Sequence, residues 1–220
     1  MRTRNSILMG GLILASLATN GAIAQAPPGP LSFFVTSTGS GNGGNLGGLE
    51  GADAICEARA EAAGAGNLTW HAYLSTQGAN AVNARDRIGA GPWWNARGAQ
   101  IAANVEQLHG PDVRLGFMNA LDERGRFIPG GGYFPNRHDI MTGSKLDGTA
   151  YAAADGDMTC NNYTSNAETG QKVRLGHHDF ANWNSTHDSR GCSQPQLIAT
   201  GGDGLFYCFA TDAPAPAPAQ

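Results

Sequence analysis

The sequence predicts one α+β domain pinned by disulfides, and three observations carry that prediction. Four cysteines, Cys56, Cys160, Cys192 and Cys208, all lie beyond an N-terminal stretch with the pattern of an export signal. A helical spacing near the start is answered by strand alternation near the end. Between them, beyond Pro111, the chain breaks into short pieces separated by glycines, a pattern that does not fit a repeating βαβ unit.

The elements follow in chain order. Arg2 and Arg4, the mostly apolar run from Ile7 to Ala18 and the small residues Ala22-Ile23-Ala24 read as a signal peptide over 1–24. Its apolar core is shorter than the ~20 residues that span a bilayer, so no integral membrane segment is expected there or later. Residues 25–30 read as a stiff Pro-rich linker, and the Pro/Ala alternation within 211–220 reads as an extended, disordered tail. The folded domain is placed at 31–210.

Leu31 to Ser37 is a β-rich run leading into a Gly/Asn loop. Leu49, Ala52, Ile55 and Cys56 recur at three- and four-residue steps, which predicts a helix over 49–63, stopped by Gly64, with the Cys56 sulfur facing inward. Trp70 to Ser75 alternates as a strand, with Trp70, Ala72 and Leu74 on one face and His71, Tyr73 and Ser75 on the other. Ile101, Val105 and Leu108 make 99–108 compatible with a second helix. Later strands are expected at Val173–Leu175 and Leu205–Phe209, the last presenting Leu205, Tyr207 and Phe209 on one face and Phe206 and Cys208 on the other.

The runs Phe33-Phe34-Val35-Thr36-Ser37, Gly47-Gly48-Leu49-Glu50-Gly51-Ala52-Asp53-Ala54-Ile55-Cys56, Trp70-His71-Ala72-Tyr73-Leu74-Ser75 and Gly202-Asp203-Gly204-Leu205-Phe206-Tyr207-Cys208-Phe209 together resemble the endostatin-like branch of the C-type lectin-like fold, which includes bacterial exported members. The resemblance covers roughly residues 31 to 210. It implies a mixed, mostly antiparallel sheet with two helices and long disulfide-held loops. It also implies the pairing Cys56 with Cys208 and Cys160 with Cys192, one of the three connectivities that four cysteines allow. Asp147 to Ser193 would then form most of the variable surface.

Charge narrows the partner. The chain has 14 Lys+Arg against 18 Asp+Glu, and removing Arg2 and Arg4 with the signal moves the net charge from −4 to −6. That sign argues against nucleic acid and anionic membranes as partners. An extracellular glycan or protein ligand fits it, and the oligomeric state stays open.

The loop residues supply the candidate sites. Trp183-Asn184-Ser185 matches two positions of the lectin calcium run but lacks its carboxylate, and Gln194-Pro195-Gln196 lacks the closing Asn or Asp. His177 and His178 are adjacent, and neighbouring strand residues face opposite sides, so one of the two would join His187, with Asp179 or Asp188 nearby. No nucleophile elbow, His-Glu-x-x-His helix or phosphate loop is present, so no catalytic residue is assigned and an enzyme is not expected. Arg85 or Arg87 is expected to bridge to a carboxylate, and Trp93 to pack.

The sequence points to a secreted or periplasmic, cell-surface binding or adhesion module that recognises a glycan or another extracellular ligand. Its ligand-binding candidates are Asp147, Asp157, Asn162, Trp183, Asn184 and His187. No cofactor is required by the pattern, with Ca²⁺ and Zn²⁺ the ions to test. A structural protein-interaction module of an envelope or extracellular assembly is the alternative.

Overall fold

In the computed structural model, residues 29–213 are described; the signal peptide, most of the linker and most of the tail lie outside them. The centre is the nine-residue strand β8 (Gly202–Ala210). β1 (Phe33–Val35) pairs antiparallel with it, Phe33 opposite Phe209. β2 (Trp70–Ala72) pairs with the same C-terminal half, His71 also opposite Phe209, so the two short strands flank it. β5 (Asp139–Met141) runs parallel to the N-terminal half, and β6 (Arg174–His177) and β7 (His187–Asp188) extend the sheet antiparallel beyond it. A separate ribbon joins β3 (Trp93–Trp94) to β4 (Gln100–Ala102).

Because strand side chains alternate, the sheet buries two different faces. Phe206 and Cys208 join Phe34, Trp70, Ala72, Leu74 and Met141 beneath α1 (Gly48–Ala62), whose Ala52, Cys56 and Ala60 supply the inward stripe. Leu205, Tyr207 and Phe209 join Phe33, Val35, Tyr73, Ile140, Trp93 and Trp183 on the other side. The alternation read for 205–209 and for 70–75 is therefore the one observed. Cys56 is bonded to Cys208, fastening α1 to the central strand, and Cys160 to Cys192. Arg87 bridges to Asp53 of α1 at 2.6 Å, and Trp93 packs in the core while its indole N–H donates to the Ala210 carbonyl.

Two expectations need correction. First, the two-helix C-type lectin-like/endostatin-like architecture does not hold. The α+β class, the mixed sheet and both disulfides stand, but the described residues contain four helices, and the sheet is an open ladder that does not curl or close on itself. The added helices have local causes. α4 (Gln194–Thr200) starts because the Ser193 hydroxyl accepts the Gln196 N–H and Pro195 sits in its first turn. α3 (Cys160–Tyr163) is a left-handed turn, all four φ values lying between 51° and 62°. That conformation is costly for side-chain-bearing residues. It is held by the Cys160–Cys192 bond, by the Tyr163 hydroxyl donating toward the Ser75 and Thr142 carbonyls, and by Asn162 clasping the Gln77 backbone.

Second, 99–108 is not one helix. Residues 100–102 pair with β3, and the Asn104 side chain accepts the Gln107 N–H, so helix α2 begins only at Val105 and ends at Leu108. Ile101 and Leu108 are buried as their spacing required, but a strand followed by a capped turn satisfies the same periodicity. Backbone contacts also continue past the end of β8. Asp212 accepts the Thr69 N–H at 2.9 Å, and the Thr211 N–H donates to the Thr69 carbonyl.

Candidate metal centre

Register explains why distant residues converge at the β5–β6–β7 edge. Asp139 lies directly opposite His177, and His187 opposite Leu175, which places His187 diagonally from His177 on the same face. His138 precedes β5 in a turn whose N–H is accepted by the Asn136 side chain, and the β5–β8 register slips at Asp139/Ile140. Adjacent residues can therefore both reach one point here.

Three imidazole nitrogens surround one carboxylate oxygen. From Asp139 Oδ1, His177 Nε2 lies at 3.1 Å, His138 Nε2 at 3.2 Å and His187 Nε2 at 3.4 Å. The ligand atoms of His138, Asp139 and His177 all lie within 4.8 Å of one another. Neighbouring donors of a tetrahedral zinc ion, with bonds of roughly 2.0–2.1 Å, stand roughly 3.3 Å apart, so the spacing fits one cation.

Asp139 is buried, yet neither of its carboxylate oxygens has a hydrogen-bond partner in the protein. Of the eight buried side-chain polar atoms without a partner among the described residues, six belong to His138, Asp139, His178 and Asp179. Native interiors pair nearly all such groups, so the concentration at one corner points to a site built for something else.

The outer contacts resemble those of metal-binding histidines. His187 Nδ1 lies 3.1 Å from the Asp188 carbonyl, which as a donor leaves Nε2 free to ligate. His138 Nδ1 faces Asp179 Oδ1 at 3.4 Å, while Asp179 Oδ2 accepts the Gly131 N–H at 2.7 Å. His138 and His177 stack with ring centroids 4.1 Å apart.

Burial raises the Asp139 pKa to about 6, partly offset by the His187 and His138 charges. Burial, then the neighbouring His138 and His187, lowers His177 to about 4. At neutral pH the pair is thus carboxylate and neutral imidazole, the forms that bind a metal. His138, Asp139 and His177 supply two nitrogens and one carboxylate oxygen to this group, with the His187 nitrogen beside them. A His/His/Asp cluster capable of coordinating a metal ion is therefore present.

Of the six ligand-binding candidates only His187 reaches this centre, and His177, read from sequence as its possible companion, is one of the inner donors. The expected split of the histidine pair occurs: His177 joins His187, while His178 turns inward against Phe117, its pKa lowered to about 4 by burial. Asp179 lies nearby as expected, whereas Asp188 is taken by Lys172 and Arg174. Trp183 is 2% exposed and donates to the Leu108 carbonyl, and Asn184 is 1% exposed with its amide aimed at Tyr73 and the carbonyls of Lys145 and Leu146. Both side chains are enclosed by these neighbours. Asp157 accepts the Thr159 and Asn161 N–H groups and, with Asn162, edges a shallow depression beside Gln77. Asp147 closes its own turn by accepting from Thr149, bonds that lower its pKa, and lines a different depression with Tyr151 and Arg174. The six candidates therefore do not form one site.

His138 and Asp139 were missed from sequence. The dipeptide His138-Asp139 was the available signal, but nothing local ties it to residues some forty positions later. No protein-family model matches this chain, and no curated protein matches it. Among the described residues, no helix is long and apolar enough to cross a membrane.

Proposed function

We propose that this chain is an exported binding module that holds a zinc-type cation between His138, Asp139 and His177, with His187 at the rim, and uses that corner to engage an extracellular ligand. The observation that carries the reading is the buried Asp139 carboxylate, one of whose oxygens has three imidazole nitrogens within 3.4 Å. Two disulfides with no free cysteine support an oxidising destination.

Calorimetric titration of the chelator-treated protein with Zn²⁺ tests it. One ion per chain is expected, with little response to Ca²⁺. His177→Ala is expected to weaken zinc binding by about a hundredfold, since it removes a ligand rather than an outer contact. At a hundredfold excess over Kd, zinc should stabilise the fold by about 2.7 kcal/mol. Absence of saturable zinc binding, or equal binding by the variant, would falsify the reading.

A further inference from the structure

Asp179 lies outside the donor group of His138, Asp139 and His177, yet the fold seats it firmly against one of them. It follows His177 and His178 at the end of β6, where the Phe180 N–H closes a turn on the His177 carbonyl and the His178 N–H donates to the His138 carbonyl. Its side chain is 9% exposed. Asp179 Oδ2 accepts the Gly131 N–H at 2.7 Å, and Oδ1 faces His138 Nδ1 at 3.4 Å. Two glycines permit this approach. A Cβ at Gly130 would stand 2.5 Å from Asp179 Oδ2, closer than a side chain tolerates, and one at Gly131 would stand 3.4 Å from His138 Nδ1. Bare backbone is therefore what packs the carboxylate and the imidazole together.

A neutral imidazole has one N–H and one lone pair. His138 turns its two nitrogens to two different carboxylates, Nδ1 to Asp179 at 3.4 Å and Nε2 to Asp139 at 3.2 Å. A proton on Nε2 would point at Asp139 and remove the lone pair that a cation needs there. A proton on Nδ1 leaves Nε2 free. Neither His138 Nδ1 nor Asp179 Oδ1 has another hydrogen-bond partner among the described residues. Their separation is roughly 0.2 Å beyond the usual range of N–H···O bonds, so a small adjustment joins them.

On the reading that this corner holds a zinc-type cation, we infer that Asp179 is a positioning residue: it draws the His138 proton to Nδ1, so that Nε2 presents its lone pair beside Asp139 and His177. Metal-ligating histidines generally carry such a partner on the second nitrogen, which fixes both tautomer and ring orientation.

The full chain and two variants test this. Asp179→Asn keeps the size of the side chain and, with its amide oxygen on the Gly131 N–H, turns an NH₂ donor toward His138 Nδ1, favouring the opposite tautomer. Gly130→Ala leaves every charge in place and pushes Asp179 from its seat. Nitrogen-15 NMR of the histidine rings in chelator-treated protein, at about pH 9 where an ordinary imidazole is neutral, should find the His138 proton on Nδ1 in the parent and on Nε2 in Asp179→Asn. Calorimetry should find zinc binding about 10- to 100-fold weaker in Asp179→Asn, and weaker in Gly130→Ala, at one ion per chain. A proton on Nε2 in the parent, or unchanged zinc affinity in Asp179→Asn, would overturn the positioning role and leave the metal centre standing. Weakened binding with an unmoved tautomer would make Asp179 a packing residue and overturn the role as well. Should Asp179→Asn not fold, the tautomer and affinity of Gly130→Ala decide in the same sense. A parent that takes up no zinc would remove the centre and the role together.

Discussion

The C-terminal half of β8 and the β5–β6–β7 edge are built on opposite terms. Around Tyr207 to Ala210 the sheet is clamped: β1 and β2 bond both sides of the strand, α1 is tied to it by Cys56–Cys208, and buried polar groups such as the Trp70 and Trp93 indoles find carbonyl acceptors. At the other edge a carboxylate, two histidines and Asp179 keep buried atoms without partners. Stability is concentrated where the covalent bond and the aromatic core meet, which allows the edge to hold polar groups that would otherwise be costly. The contrast separates a region whose polar groups are paired from an edge whose polar groups converge unpaired.

Breaking the clamp should have the largest effect. Cys56 and Cys208 are 152 residues apart, so replacing both with Ala should cost about 5 kcal/mol in the loop-entropy picture, against about 4 kcal/mol for Cys160 and Cys192, separated by 32. Urea denaturation of the two double variants measures the difference. If the shorter bridge proves the more important, the clamp is not centred on β8.

Asp139→Asn sharpens the contrast from the other side. In chelator-treated protein at pH 7 the variant should be more stable than the parent by about 1–3 kcal/mol, because a buried charge without a hydrogen bond is removed, yet it should lose zinc binding. The pH dependence has a definite sign. An acid whose folded pKa is raised from 3.8 to about 6 holds its proton more tightly in the folded state, so its contribution declines as pH rises through about 6. The advantage of Asn should accordingly grow between pH 4 and pH 7, as read by denaturation at each pH. An advantage that shrinks instead would mean the carboxylate is satisfied within the protein.

The smallest effect is expected at His109, in the well-paired part of the molecule. Its Nδ1 faces the Val105 carbonyl at 2.8 Å and its Nε2 the Tyr73 hydroxyl at 2.7 Å, while Asn184 donates to that same hydroxyl. Burial, the largest cause, lowers its pKa below 6.5. The unfolded chain then takes up the proton first, so this stability is complete above pH 6.5 and is lost as pH falls through the folded value. Protonation would set a second donor against the Tyr73 oxygen, a loss on the order of one hydrogen bond, about 1 kcal/mol. His109→Gln should flatten this part of the acid response, and an unchanged profile would place the titration elsewhere.

Some of this was legible in local pattern. The helix carrying Cys56, the alternation of Leu205 to Phe209 and the opposed faces of Trp70 and Tyr73 follow from periods of 3.6 and 2, and the structure keeps them. Residues 99–108 misled because Ile101, Val105 and Leu108 have helical spacing while the Asn104 cap delays the helix. The left-handed turn at Cys160–Tyr163 carries no periodic signal at all. Half of the candidate site was visible as well, since the adjacent pair was expected to split and send one member toward His187, although His178 lies one residue past the end of β6.

By itself the sequence determined which side chains face inward along its longest helix and strand, because those choices depend on neighbours a few residues away. It also determined the composition of four cysteines without a local Cys-x-x-Cys pair. Only the tertiary structure decided that the sheet stays open, that Trp183 and Asn184 are interior, and that His138 and Asp139 meet His177 and His187. Those outcomes depend on the register between β5 and β6, which is set by packing across the whole domain and leaves no trace in any short stretch of chain.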